Sequence, residues 1–133
     1  MSLTSSSYGF YFITGPTGKG KTTTLYSMLV LLHTYNKEVF NKITKIMTID
    51  NPLEYDIDGF IAVDLQDTKG TERELSVNDV ISAFLRSNPD IVCLTEMRGE
   101  KEFEAFFRIG LRGHPAFGTL HANNVLASIQ LLS

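Results

Sequence analysis

The chain has 133 residues, 43% hydrophobic and 20% charged, with a formal net charge of −3. That is enough for one domain with a real core, and the charge gives no global pull toward nucleic acid or anionic lipid. The single cysteine, Cys93, excludes an internal disulfide and argues against a cysteine-based zinc site, and no apolar run reaches the roughly 18 residues of a membrane span.

Residues 1–7, MSLTSSS, lack the basic-then-apolar order of a signal peptide and read as an added start or a cut linker. Residues 8–133 read as one domain. FYFIT (Phe10–Thr14) is a short β-prone run ended by glycine. KTTTLYSMLVLLHTY (Lys21–Tyr35) is apolar almost all round after its first turn and predicts a buried helix. KIMTI (Lys45–Ile49) is a second strand, stopped by Asp-Asn-Pro. GFIAVDLQ (Gly59–Gln66) alternates and predicts a third strand, at an edge. TKGTERE (Thr68–Glu74) is polar and reads as a mobile loop.

Ser76 is a capping residue before a helix whose apolar positions are Val80, Ile81, Phe84 and Leu85. IVCLT (Ile91–Thr95) is a continuous apolar run, as in a strand covered on both faces, with Cys93 a small buried residue within it. EKEFEAFFRIGLR (Glu100–Arg112) is a further helix, with Gly110 a mild weakness. AFGTLH (Ala116–His121) is the last strand. NNVLASIQLLS (Asn123–Ser133) stops inside an amphipathic helical pattern, so the chain is expected to be a truncated fragment. Strands alternating with helices imply an α/β fold, a mostly parallel sheet flanked by helices. Ligands of such sheets bind beyond the carboxyl ends of the strands, where the chemistry-bearing residues of this chain fall.

GPTGKGKT (Gly15–Thr22) matches the phosphate-loop pattern G-x-x-x-x-G-K-[ST] in full, between a strand and a helix. Its backbone N–H groups and the following helix dipole suit phosphate oxygens. Lys21 is expected to reach the β- and γ-phosphates of ATP, and the Thr22 hydroxyl to bind Mg²⁺. Gly15, Pro16, Thr17, Gly18, Lys19, Gly20 and Thr23 complete the expected binding set; Lys19 lies outside the fixed pattern. IVCLTE ends an apolar strand in Glu96, placed to act on water and on the Mg²⁺ shell. DNPLEY offers Asp50 and Glu54, although Asp-Asn-Pro is also plain turn chemistry. His114 and His121 are seven apart, on opposite faces of a strand, so they are not expected to chelate one ion.

Four blocks in this order resemble the secretion ATPase superfamily, the motors of type II secretion, type IV pilus extension and retraction, and type IV secretion or conjugation. GPTGKGKTTTLY resembles its phosphate loop, TIDNPLEY its Asp box, LRSNPDIVCLTEMRG its Walker B region and GHPAFGTLHANN its His box. The resemblance implies a RecA-like P-loop domain in a ring-shaped homo-hexamer, with ATP between subunits. It implies a cytoplasmic location, with inner-membrane pilus or secretion components as partners. It assigns Glu54 to water activation, Glu96 to the Walker B acid, and His114 and His121 to the His box; Arg86 and Arg98 match recurrent arginines near the site. It also implies arginines from a preceding domain and a neighbouring subunit, so the isolated fragment is expected to turn over slowly.

The chain departs from the family pattern at Asp50-Asn51 (usually Glu-Asp), Lys19 (usually Ser), Thr95 (usually Gly) and Gly99 (Asp in the pilus branch). The Asn51 departure motivates an alternative, a nucleotide-gated assembly module with little hydrolysis. A RecA-like DNA translocase or helicase is the other; the mixed charge of TKGTERE gives a nucleic-acid partner little support.

Overall fold

The computed structural model describes residues 9–15, 20–50, 53–72, 74–97 and 99–121. Five strands form one sheet: β1 (Gly9–Gly15), β2 (Ile46–Asp50), β3 (Phe60–Asp64), β4 (Ile91–Met97) and β5 (Pro115–His121). Their order is β1-β5-β4-β2-β3, and every pairing is parallel. Helices α1 (Lys21–Phe40), α2 (Val77–Arg86) and α3 (Glu100–Leu111) make the crossovers. The α/β fold expected from the alternation is the one observed, with β3 at an edge. The segment Asn123–Ser133 lies outside the described residues.

The sheet divides the core in two. Met47, Ile49, Val92, Leu94, Ala116 and Leu120 face α2 and α3, and pack with Phe84, Phe103, Phe106 and Ile109. Ile46, Ile91, Cys93 and Phe117 face the other way, against Leu25 and Leu29 of α1. Both central strands, β2 and β4, are therefore apolar on both faces, as IVCLT suggests. Fully burying each such side chain contributes about 1.5–3 kcal/mol.

Two readings need correction. α1 is not buried all round: Leu25, Tyr26 and Leu29 are buried, while Leu31, Tyr35, Val39 and Phe40 are exposed. Among the described residues one helix lies on that face, and one stripe of it meets the sheet. α1 also runs past Tyr35 to Phe40, where Asn41 adopts the left-handed conformation (φ 51°) that ends helices. Gly110, a mild weakness of α3 by propensity, has a packing role: a β-carbon there would run into the Phe10 ring, which packs against Phe106 and Phe107. The glycine admits that ring.

α2 is capped as Ser76 suggests. The Ser76 hydroxyl accepts from the Asp79 amide at 3.1 Å, and the Asp79 carboxylate accepts from the Ser76 amide at 3.2 Å. These bonds hold the Asp79 carboxyl below the usual carboxylate range.

Candidate functional site

β1 ends at Gly15, whose register partner is His121 at the end of β5. Pro16, Thr17, Gly18 and Lys19 lie outside the described residues. Gly20 is the N-cap of α1 with φ 105° and ψ −26°, a backbone that glycine adopts without strain. α1 has no side-chain cap and no acidic residue in its first turn. The other two α-helices differ: α2 carries its capping box, and α3 has Glu100 and Glu102 in its first turn. Among the described residues the positive end of α1 thus has no capping side chain and no acid in its own first turn, which suits an anion.

Lys21, the first residue of α1, donates from Nζ to the Leu120 carbonyl oxygen at 3.3 Å. Leu120 is the penultimate residue of β5, and its register partner on β4 is Met97. The ammonium therefore sits at the carboxyl end of the sheet, beside the strand end that carries Glu96.

Glu96 is exposed although Thr95 and Met97 on either side are buried. The cause is an irregularity in the β4–β5 pairing. Leu94 pairs with Gly118 and Met97 with Leu120, so three steps on β4 answer two on β5. Such an extra residue bends the strand and re-aims a side chain. The Thr119 hydroxyl donates to the Thr95 carbonyl at this point. Glu96 lines a small hollow with Asp50 and Glu102, walled by Leu65 and Val77.

Asp50, at the end of β2, is buried. Its carboxylate accepts from the Tyr26 hydroxyl at 2.6 Å and the Thr48 hydroxyl at 3.0 Å. Burial pushes this carboxyl above its ordinary range; the donors Tyr26, Thr95 and Thr48 oppose the shift without cancelling it. The same burial and pairing push the Tyr26 hydroxyl up. Asp50 is thus a support inside the fold, whereas Glu54, four residues on, is exposed. Tyr55 turns back to α1, its hydroxyl 2.7 Å from that of Thr23 and its ring 5.2 Å from that of Tyr26.

The remaining candidates separate. His114 precedes β5 at the amino end of the sheet, where its Nδ1 lies 3.0 Å from the Pro89 carbonyl oxygen. His121 ends the same strand, roughly 20 Å away at the rise of a β-strand. Arg86 closes α2, which returns to the amino end before β4, so within the chain it stands away from the Lys21 end of the sheet. Arg98 and Asn51 lie outside the described residues. Tyr26, Tyr55, Thr95 and Thr119 were absent from the sequence-derived set. The i, i+3 spacing of Thr23 and Tyr26 on a helix face was the available signal for the first two.

Thr22 is half-buried in the first turn of α1. Its hydroxyl and the Glu96 carboxylate are hard oxygen donors of the kind that Mg²⁺ takes, and the unneutralised helix end suits the phosphates such an ion accompanies.

A parallel sheet with a glycine-capped helix starting at a lysine and threonine, and an acid at the end of a neighbouring strand, has the architecture of a P-loop α/β domain. A family described as "Type II/IV secretion system protein" matches residues 1–133. The chain belongs to that family. It is 36% identical over 124 residues to a protein transport protein HofB homolog of Haemophilus influenzae, covering 93% of this chain and 24% of that protein. Among solved structures, the ATPase DotB of Legionella pneumophila superposes with a TM-score of 0.74 at 27% identity, covering 96% of this chain and 34% of that one. The pilus retraction motor PilT with bound ADP superposes with a TM-score of 0.69 at 34% identity, covering 94% and 34%. The chain thus spans about a quarter of the curated relative's length and about a third of the solved chains.

Proposed function

We propose that this chain is the ATP-binding and hydrolysing part of a motor ATPase that drives pilus assembly or retraction, or type II or type IV secretion. The observation that carries the reading is the bond from Lys21 Nζ to the Leu120 carbonyl oxygen. It brings the phosphate-loop lysine to the strand end that adjoins Glu96 and His121. The ADP in the PilT structure supports a nucleotide as the ligand.

In this reading Gly15 to Thr23 cradle the phosphates, and Lys21 neutralises the β- and γ-oxygens in place of its carbonyl contact. Thr22 would hold Mg²⁺, with Glu96 reaching it through water; the ion would neutralise charge on the phosphate oxygens. Glu54 and Glu96 are the candidate acids for orienting water and accepting its proton. His121 donates a hydrogen bond toward the γ-phosphate or Glu96, and so reports which nucleotide is bound. The parent protein works as a homo-hexamer on the cytoplasmic side of the inner membrane, bound to pilus or secretion components. Among the described residues no helix is long and apolar enough to cross a membrane.

The test is steady-state hydrolysis by the full-length parent, together with binding of an ATP analogue. Hydrolysis abolished by Lys21→Ala, with slow turnover by residues 1–133 alone, is the expected result. Nucleotide binding with no hydrolysis by the assembled parent would favour the gated assembly module; turnover that depends on DNA would favour a translocase.

A further inference from the structure

The connection from β2 to β3 is unusual for parallel neighbours. It runs from 51 to 59, shorter than the dozen or more residues such crossovers normally need, and its described residues, 53–59, form no helix. It also carries Glu54. Bonds to α1 compensate for the missing helix. Thr23 and Tyr26, three apart on α1, face this connection together. Tyr26 holds Asp50 through its hydroxyl, at 2.6 Å, and meets the Tyr55 ring with its own. Thr23 meets the Tyr55 hydroxyl at 2.7 Å. Farther on, the Phe60 amide donates to the Ile57 carbonyl at 3.1 Å and turns the chain into β3. Glu54 therefore stands between two residues, Asp50 and Tyr55, that are both fastened to the helix that begins at the phosphate loop.

We infer that Tyr26 and Tyr55 form a clasp that positions Glu54 against the first turn of α1, with Thr23 as its catch. The clasp rests on the proposed ATPase reading and adds positioning residues to it. Tyr55 acts through its neighbour Glu54 and touches no reacting atom. Because Thr23 follows the Mg²⁺ candidate Thr22 directly, any shift of the first turn on nucleotide binding is passed to Tyr55, and through it to Glu54. The side chain that carries the signal is a stiff aromatic with two rotatable bonds before its ring, which loses little entropy when held at both ends.

The experiment uses the full-length parent. Tyr55→Phe keeps the ring contact with Tyr26 and removes only the hydroxyl; Thr23→Val removes the other half of the same bond. Tyr55→Phe should lower kcat about tenfold, the worth of one well-placed hydrogen bond, with KM within about threefold, and Thr23→Val should lower kcat at least as far. Adding Tyr55→Phe to Thr23→Val should cost no further kcat, because both delete one interaction. Thr23→Ser, which restores a hydroxyl, should recover most of kcat. A raised KM at unchanged kcat in Tyr55→Phe would make Tyr55 a nucleotide contact and overturn the clasp; so would a further kcat loss when Tyr55→Phe is added to Thr23→Val, or an unaltered kcat in Tyr55→Phe. If the wild-type parent hydrolyses no ATP, the proposed function fails, and the clasp is then read by amide hydrogen exchange over residues 53–57. Exchange there should quicken in Tyr55→Phe, and unaltered exchange would overturn the clasp on its own.

Discussion

The amino and carboxyl ends of this sheet use their polar side chains differently. At the amino end each one ties two segments together. Asp90 accepts the Lys45 amide at 2.8 Å, Lys45 Nζ donates to the Ser87 carbonyl oxygen at 2.6 Å, and His114 meets Pro89. At the carboxyl end Glu54, Glu96 and Thr23 are exposed, α1 starts with no side-chain cap, and Lys21 rests on a strand-end carbonyl. Both ends are tied by side-chain bonds, among them Thr23 to Tyr55 and Asp50 to Tyr26 at the carboxyl end; the carboxyl end in addition exposes the acids Glu54 and Glu96 around the uncapped start of α1. Substitutions should accordingly cost stability at the first end and activity at the second.

The largest effect is expected at Glu96. Glu96→Gln in the full-length parent keeps the shape and removes the charge. Hydrolysis should fall by about 10²–10⁴-fold, as for loss of a general base, while nucleotide binding stays within a few-fold. Equal loss of binding and turnover would make Glu96 structural and erase the contrast between the ends.

The two histidines give the next test, since one strand carries one of them at each end. His121→Ala should leave ATP affinity within a few-fold and lower hydrolysis by about tenfold or more. His114→Ala should leave hydrolysis within about twofold and cost about 1 kcal/mol of stability through its bond to Pro89. Asp90→Asn should resemble His114→Ala, because it weakens the link to the Lys45 amide. Urea denaturation and steady-state hydrolysis, run on the same preparations, separate the two patterns. Hydrolysis lost in both histidine variants would show that the ends are coupled.

Asp50 sharpens the comparison from inside the carboxyl end. Its folded-state carboxyl is raised by burial, so the folded protein keeps a proton that the unfolded chain has released above about pH 4. The contribution of this group is fully present below the unfolded value and is lost as pH rises through the folded one. Asparagine cannot ionise. The melting temperature of the wild type should therefore fall relative to Asp50→Asn as pH rises from about 4 to 7. A gap that widens the other way would mean that the Tyr26 and Thr48 bonds dominate over burial.

Much of this architecture was legible because it depends on local patterns. The apolar runs of β2 and β4, the Ser76 cap and the glycine-lysine-threonine turn into α1 are signals within a few residues. What stayed hidden depends on pairing between distant segments. The extra residue on β4 that exposes Glu96 exists only relative to β5, more than twenty positions later. The burial of Asp50 needs Tyr26, and the space at Gly110 needs the Phe10 ring. α1 misled for a similar reason: its sequence is apolar all round, but how much of it meets the sheet is set by how many helices share that face. The place of Arg86 was likewise hidden, because a motif read along the chain does not show that a crossover helix returns to the opposite end of the sheet.

The smallest effect is expected at Lys42, and it tests whether the amino end is held by hydrogen bonds or by charge. Lys42 Nζ lies 4.0 Å from Asp90 Oδ1, with the lysine side chain 63% and the aspartate side chain 39% exposed. A pair that open is screened by water and salt and contributes about 0–1 kcal/mol. The other oxygen of the same carboxylate accepts the Lys45 amide in a charge-assisted bond, which is worth more. Lys42→Met keeps the apolar stem and removes the charge, so stability should change by less than about 0.5 kcal/mol. That small change should vanish in 1 M salt, where the Debye length is about 3 Å. The Asp90→Asn loss should largely survive the same salt, because most of it is the weakened bond to the Lys45 amide. If Lys42→Met costs as much as Asp90→Asn, and both losses disappear with salt, charge holds the amino end together, and its hydrogen bonds are not what sets it apart from the carboxyl end.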